Sequence, residues 1–164
     1  MNQVQQELVF DLMFKRISRE KFIELFFVGG DIPEDYVCQQ LEVALAVKDA
    51  DGVECLLILG FIFESLYRCP DILSRLLVED WHVCHEDIAS ALQELKYPGA
   101  VDNLFKAALA VYPYIGSEYS LGVKCIHALH DVGTESAKEK LRVLARAENP
   151  VLAERAGRLL ASMV

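Results

Sequence analysis

Little in this 164-residue chain advertises chemistry by motif. It has no Walker loop, no GxGxxG fingerprint and no Ser/His/Asp pattern around a nucleophile elbow, so the common phosphate-binding and hydrolase signatures are absent. Gly29-Gly30 alone reads as a turn. Alternating strand patterns of useful length are missing as well. Long hydrophobic runs are short of what a membrane needs. Residues 55–63, bracketed by Glu54 and Glu64, fall well below the roughly 20 residues that span a bilayer and suit a buried helix instead. The five cysteines (Cys38, Cys55, Cys69, Cys84, Cys125) show no CxxC spacing. Their odd number argues against a complete disulfide framework and favours a reducing cytoplasm. Glu7 and Asp11 stand where a secretory leader would carry basic residues, so no leader is expected. Positive charge is the last shortage: 16 Lys and Arg face 25 Asp and Glu, a net of -9. That balance disfavours nucleic acid and anionic membranes as main partners.

The deficit of bases is local. Residues 31–102 hold 15 acids against Lys48, Arg68, Arg75 and Lys96, whereas residues 134–164 hold six basic and four acidic side chains. A middle this one-sided invites a basic partner. The length suits one domain, residues 1–164.

What the chain does contain is helical periodicity nearly throughout. Residues 2–16 read as one helix with Val4, Leu8, Leu12 and Phe14 inward, and Ser18 caps a second through Phe22, Ile23, Leu25 and Phe26. Gly29-Gly30-Asp31 breaks the pattern. Pro33 suits a first helical turn, followed by Val37, Leu41, Ala44 and Leu45. Asp51 and Glu54 have the spacing of a capping box that opens the most apolar helix. Pro70 starts a segment with Ile72, Leu73, Leu76 and Leu77 inward, before an irregular stretch around Trp81. Ile88, Leu92 and Leu95 form the next seam, which Tyr97-Pro98 ends; Val101, Leu104, Phe105 and Ala108 form its partner. Ser117 is placed to cap a helix bearing Leu121, Cys125, Ile126 and Leu129, and Gly133 stops it. Thr134 caps Ala137, Leu141 and Leu144. Asn149-Pro150 opens a last helix through Leu152, Ala156, Leu159, Leu160 and Met163.

Within this pattern a phrase nearly repeats. A shift of 37 positions superposes Ala91 on Ala128, Leu92 on Leu129, Leu95 on Val132, Ala100 on Ala137, Leu104 on Leu141 and Ala108 on Ala145. Such a period marks helical units that stack because none buries its apolar face alone. Residues 85–96 with 98–111, and 117–132 with 134–147, read as two antiparallel hairpins, with 150–163 as a further unit or cap. The run from Ala128 through Gly133-Thr134 to Asn149-Pro150-Val151 resembles the HEAT-like repeat, in which an Asp at the helix turn, a Gly-Thr or Pro-Gly corner and an Asn-Pro corner recur. The clearest stretch is 83–164, and the first copy departs from the pattern with Lys96 opposite Gly133. The resemblance implies an all-α fold of antiparallel helical hairpins stacked as a short HEAT-like α-solenoid. Among such chains, short acidic ones are similar to the immunity proteins of bacterial contact-dependent and polymorphic toxin systems. That likeness implies a non-catalytic binder of a cognate basic toxin, such as a nuclease with a cationic surface, with no cofactor; the net charge already implies no nucleic acid and no membrane. A lyase-type or ligand-binding HEAT domain, and a scaffold subunit, are the alternatives.

The residues expected to meet such a partner are Glu86, Asp87, Glu94 and Asp102 among the acids, with Trp81, Tyr97, Tyr112, Tyr114 and Tyr119 as aromatic anchors near the corners. The segment Trp81-His82-Val83-Cys84-His85-Glu86-Asp87 contains zinc-binding residue types but no second ligand cluster. Its simpler reading is a loop plugged by Trp81, with Glu86 and Asp87 favouring the positive end of a following helix. His127 and His130, three apart beside core positions, read as satisfied or solvated side chains.

Overall fold

The computed structural model describes residues 1–115 and 119–163, and these form ten α-helices and no strand. The all-helical reading therefore holds. The expected cap at Ser117 lies outside the described residues. The chain divides into two compact units, Met1–Cys69 and Pro70–Val164.

The first unit contains α1 (Gln3–Met13), α2 (Arg19–Phe26), α3 (Tyr36–Val47), α4 (Ala50–Ile62) and a 3₁₀ turn at Leu66–Arg68. Its centre is α4, which buries Val53, Cys55, Leu56, Leu57 and Leu59 against α1 and α3. The start of α4 differs from the Asp51/Glu54 expectation: Asp49 caps it, its Oδ1 accepting the Gly52 N–H at 2.9 Å. The other Asp49 oxygen holds the Met1 ammonium at 2.8 Å. α1 is shorter than expected and turned about its axis. Val9 and Leu12 are buried, whereas Val4 is 67% and Phe14 59% exposed. Pro33 precedes the third helix in a turn rather than opening it. Ser18 caps α2 as expected, accepting from the Lys21 N–H at 3.2 Å. Phe22 is fully buried among Phe26, Phe27 and Phe63, while Leu25 faces outward. Cys38 and Cys69 form a disulfide that the odd cysteine count did not suggest, leaving Cys55, Cys84 and Cys125 as buried thiols.

The second unit contains α5 (Pro70–Leu76), α6 (His85–Leu95), a 3₁₀ turn at Pro98–Ala100, α7 (Val101–Leu109), α8 (Ser120–Val132), α9 (Glu135–Leu144) and α10 (Pro150–Ala161). α8 is its hub, packing on α6, α7, α9 and α10, and Leu121, Cys125, Ile126, Ala128 and Leu129 are all buried. α6 and α7 pack on α8 far more than on each other. The near-repeat has a backbone counterpart: Lys96 and Gly133 both end their helices in the left-handed region, at φ 50° and 66°. Thr134 and Asn149 cap α9 and α10, accepting from the Ala137 N–H at 3.2 Å and from Val151 and Leu152 N–H at 2.9 and 3.2 Å.

Candidate functional site

The expected partner-binding residues all belong to the second unit, where the structure sorts them into three groups. The first gathers at the start of α6. His85 opens that helix and is fully buried, its ring stacked on His82 at 4.4 Å and tilted against Tyr112 at 3.9 Å. Each imidazole is held by two partners. The Cys84 N–H donates to His82 Nδ1 at 3.1 Å, so the proton of that ring sits on Nε2 and is donated to the Leu76 carbonyl at 2.8 Å. His85 Nε2 donates to the Glu79 carbonyl at 2.6 Å, which leaves Nδ1 to accept from the Tyr114 hydroxyl. Both rings are thereby neutral. Burial lowers His82 and pushes His85 down to about 4, and it raises Tyr114 to about 12. Trp81 closes the edge of this knot against His82, its Nε1–H donating to Glu79 at 2.7 Å. The knot uses every ring nitrogen internally. Among the described residues no three His, Cys, Asp or Glu side chains are grouped to hold a metal ion.

The second group is tied to neighbouring helices, and its acids lose their free charge. Glu86 accepts from the Ser120 hydroxyl and pairs with Lys124 Nζ at 3.2 Å; these contacts hold its carboxyl below the usual range despite partial burial. One stripe further along, Gln93 donates to Asp131 at 2.7 Å. Asp102 is likewise spoken for, its Oδ1 lying 2.8 Å from Lys140 Nζ, a hydrogen bond that lowers its pKa. Tyr97, at the other end of α6, donates its hydroxyl to Asp71. His130 is satisfied by Asp131 at 2.9 Å and by Ser162 at 3.2 Å.

The third group stays free. Asp87 and Glu94 are exposed, and among the described residues neither has an ion-pair partner. Seven residues apart, they share one stripe of α6, roughly 10 Å along the helix axis. The adjoining stripe of the same helix carries the Glu86 and Gln93 ties to α8, so the two carboxylates sit on a helix anchored beside them. Tyr114, packed on His85 at the start of α6, is 43% exposed although its hydroxyl is anchored. Tyr119 belongs elsewhere, lining an apolar cleft with Val111, Val143, Leu152 and Arg146.

The sequence named the four acids as partner contacts but did not separate the two that are neutralised from the two that are not. The distinction depends on Lys124 and Lys140, which lie 38 positions beyond Glu86 and Asp102, a separation one residue longer than the repeat shift. The His82–His85–Tyr114 knot was also out of reach, because Tyr114 is 29 residues from its imidazole partner. No family model matches the chain, and neither a curated protein nor a solved structure matches it.

Proposed function

We propose that the chain is a non-catalytic protein-binding module, a bacterial immunity protein that neutralises a cognate toxin of basic surface. In this reading the second unit is a short HEAT-like stack, and the stripe of Asp87 and Glu94 meets the toxin. The observation that carries it is that these two carboxylates have no ion-pair partner among the described residues while the stripe beside them ties their helix to α8. Exposed acids of this kind steer a cationic partner and exclude acidic ones, while an adjacent aromatic edge supplies contact area. Tyr114, Tyr112 and Trp81, gathered around His82 and His85 at the start of α6, are the aromatic anchors of this reading. A nuclease, whose own substrate site must be cationic, has the complementary surface.

The test is co-expression with the product of the neighbouring toxin gene, followed by purification of the complex. Asp87→Asn with Glu94→Gln is expected to weaken binding about tenfold, mainly through slower association, and higher salt should weaken the wild-type complex further. Asp102→Asn should matter less, because that carboxylate already has Lys140. Failure to recover a partner, or binding indifferent both to salt and to the double substitution, would sink the proposal. The same reading places the encounter in the cytoplasm. Trapping free thiols at the moment of lysis checks that placement: Cys38 and Cys69 found fully bridged in cells would favour an oxidising compartment instead.

A further inference from the structure

We propose that a cleft at the α1–α2 corner of the first unit binds a small anionic amphiphile, an aliphatic tail ending in a carboxylate or phosphate head. The cleft measures about 460 Å³, within the roughly 300 to 1,000 Å³ typical of small-ligand sites. Its apolar side is aliphatic, made by Leu12 and Ile17 with Ile62 from the end of α4, and offers an alkyl chain close packing. Its polar side is Lys15, Arg16 and Arg19, and no carboxylate lines it. In a chain with 25 acids and 16 bases, three cations around one aliphatic pocket invert the prevailing charge.

The two arginines are held by side-chain contacts, and the lysine is free to follow the ligand. Lys15 follows α1 in the left-handed region at φ 57°, and among the described residues it has no ion-pair partner. Arg16 gives one nitrogen to Asp11 at 3.1 Å and stacks 5.2 Å above Phe14, leaving further guanidinium N–H groups for a second anion. Arg19 lies 5.8 Å over the Phe63 ring. A guanidinium fixed in this way suits bidentate pairing with a carboxylate or phosphate. The ligand is a free molecule rather than a lipid in a bilayer. Glu20 and Glu24 are exposed on α2, Glu24 pairing with Lys21 at 3.0 Å, and add negative charge that an acidic leaflet would repel, whereas no acid is among the residues lining the cleft.

Calorimetric titration of the full chain with octanoate, octyl phosphate and octanol tests the site. Saturable binding of either anion at one site per chain is expected, with octanol about tenfold weaker or worse, because it leaves the cations without a counter-charge. Lys15→Gln with Arg16→Gln should reduce anion affinity by about tenfold. Both residues are exposed, so the thermal melt should be unchanged, and Lys15→Gln alone provides a second variant with no internal bond to lose. Absence of saturable binding overturns the proposal. So do equal affinities for octanoate and octanol, wild-type affinity in both variants, or binding confined to vesicles of acidic phospholipid.

Discussion

At the scale of single residues, His85 shows how burial converts a titratable group into a stability sensor. Its folded-state pKa is about 4 while an unfolded histidine titrates near 6.5, so between those values the unfolded chain binds a proton that the folded chain refuses. Stability must therefore fall as pH drops from about 6.5 towards 4, and His82, lowered by the same burial, acts in the same direction. Glu86 and Asp102, whose pKa values are held low, add their losses only further into acid. Urea unfolding at neutral pH and near pH 4.5 should differ by about 2 kcal/mol. In His85→Gln, which does not titrate there, most of that difference should vanish; a flat profile for the native protein would contradict this account. Lys96 offers a gain instead. It adopts the left-handed conformation that Gly133 adopts at the equivalent corner, so Lys96→Gly should stabilise the protein by up to about 1 kcal/mol in thermal or urea melts.

At the scale of elements, α8 organises the second unit, and its close approaches can be tested at Gly122. A Cβ there would stand 2.7 Å from Leu152 Cδ2 and 2.9 Å from the Ala108 carbonyl oxygen, a backbone atom that cannot swing aside. Gly122→Ala should cost about 1 to 2 kcal/mol even though alanine is the better helix former, and circular dichroism melts would measure it. This scale is also where the sequence was most and least legible. Corners written in local chemistry could be read directly: Ser18, Thr134 and Asn149 cap their helices because each side chain needs only an N–H two or three residues away. Asp49 was missed because Asp51 and Glu54 had the better-known spacing, while the real cap lay two residues earlier. The inward face of α1 was misread because its apolar residues are spread around the helix, leaving Val4 and Phe14 as credible as Val9. The pairing of α6 and α7 with α8, rather than with each other, depends on contacts between distant positions and has no local signature. Within the candidate site, the acids and aromatics were visible as types, but which of them keep a free charge was decided by lysines on α8 and α9.

At the scale of the molecule, two compact units share one chain, and each carries a chemical reporter of its own. The Cys38–Cys69 bridge lies wholly in the first unit and joins residues 31 apart, so its reduction should destabilise that unit by about 3 kcal/mol. Trp81, the only tryptophan, lies in the second unit. A reductant should therefore lower the melting temperature seen by circular dichroism while leaving the fluorescence transition of Trp81 in place; a matching shift in both signals would mean that the units unfold as one. The three unbridged cysteines extend the same logic to time. Burial pushes the Cys55 thiol up to about 11 and raises Cys125 as well, so neither reacts while its surroundings stay closed. Cys55 is seated in α4, Cys84 just before α6 and Cys125 in α8. The rate at which an alkylating reagent captures Cys55 or Cys125 is then a clock for the opening of α4 or α8, and the chain carries one such clock in each unit without any engineered label.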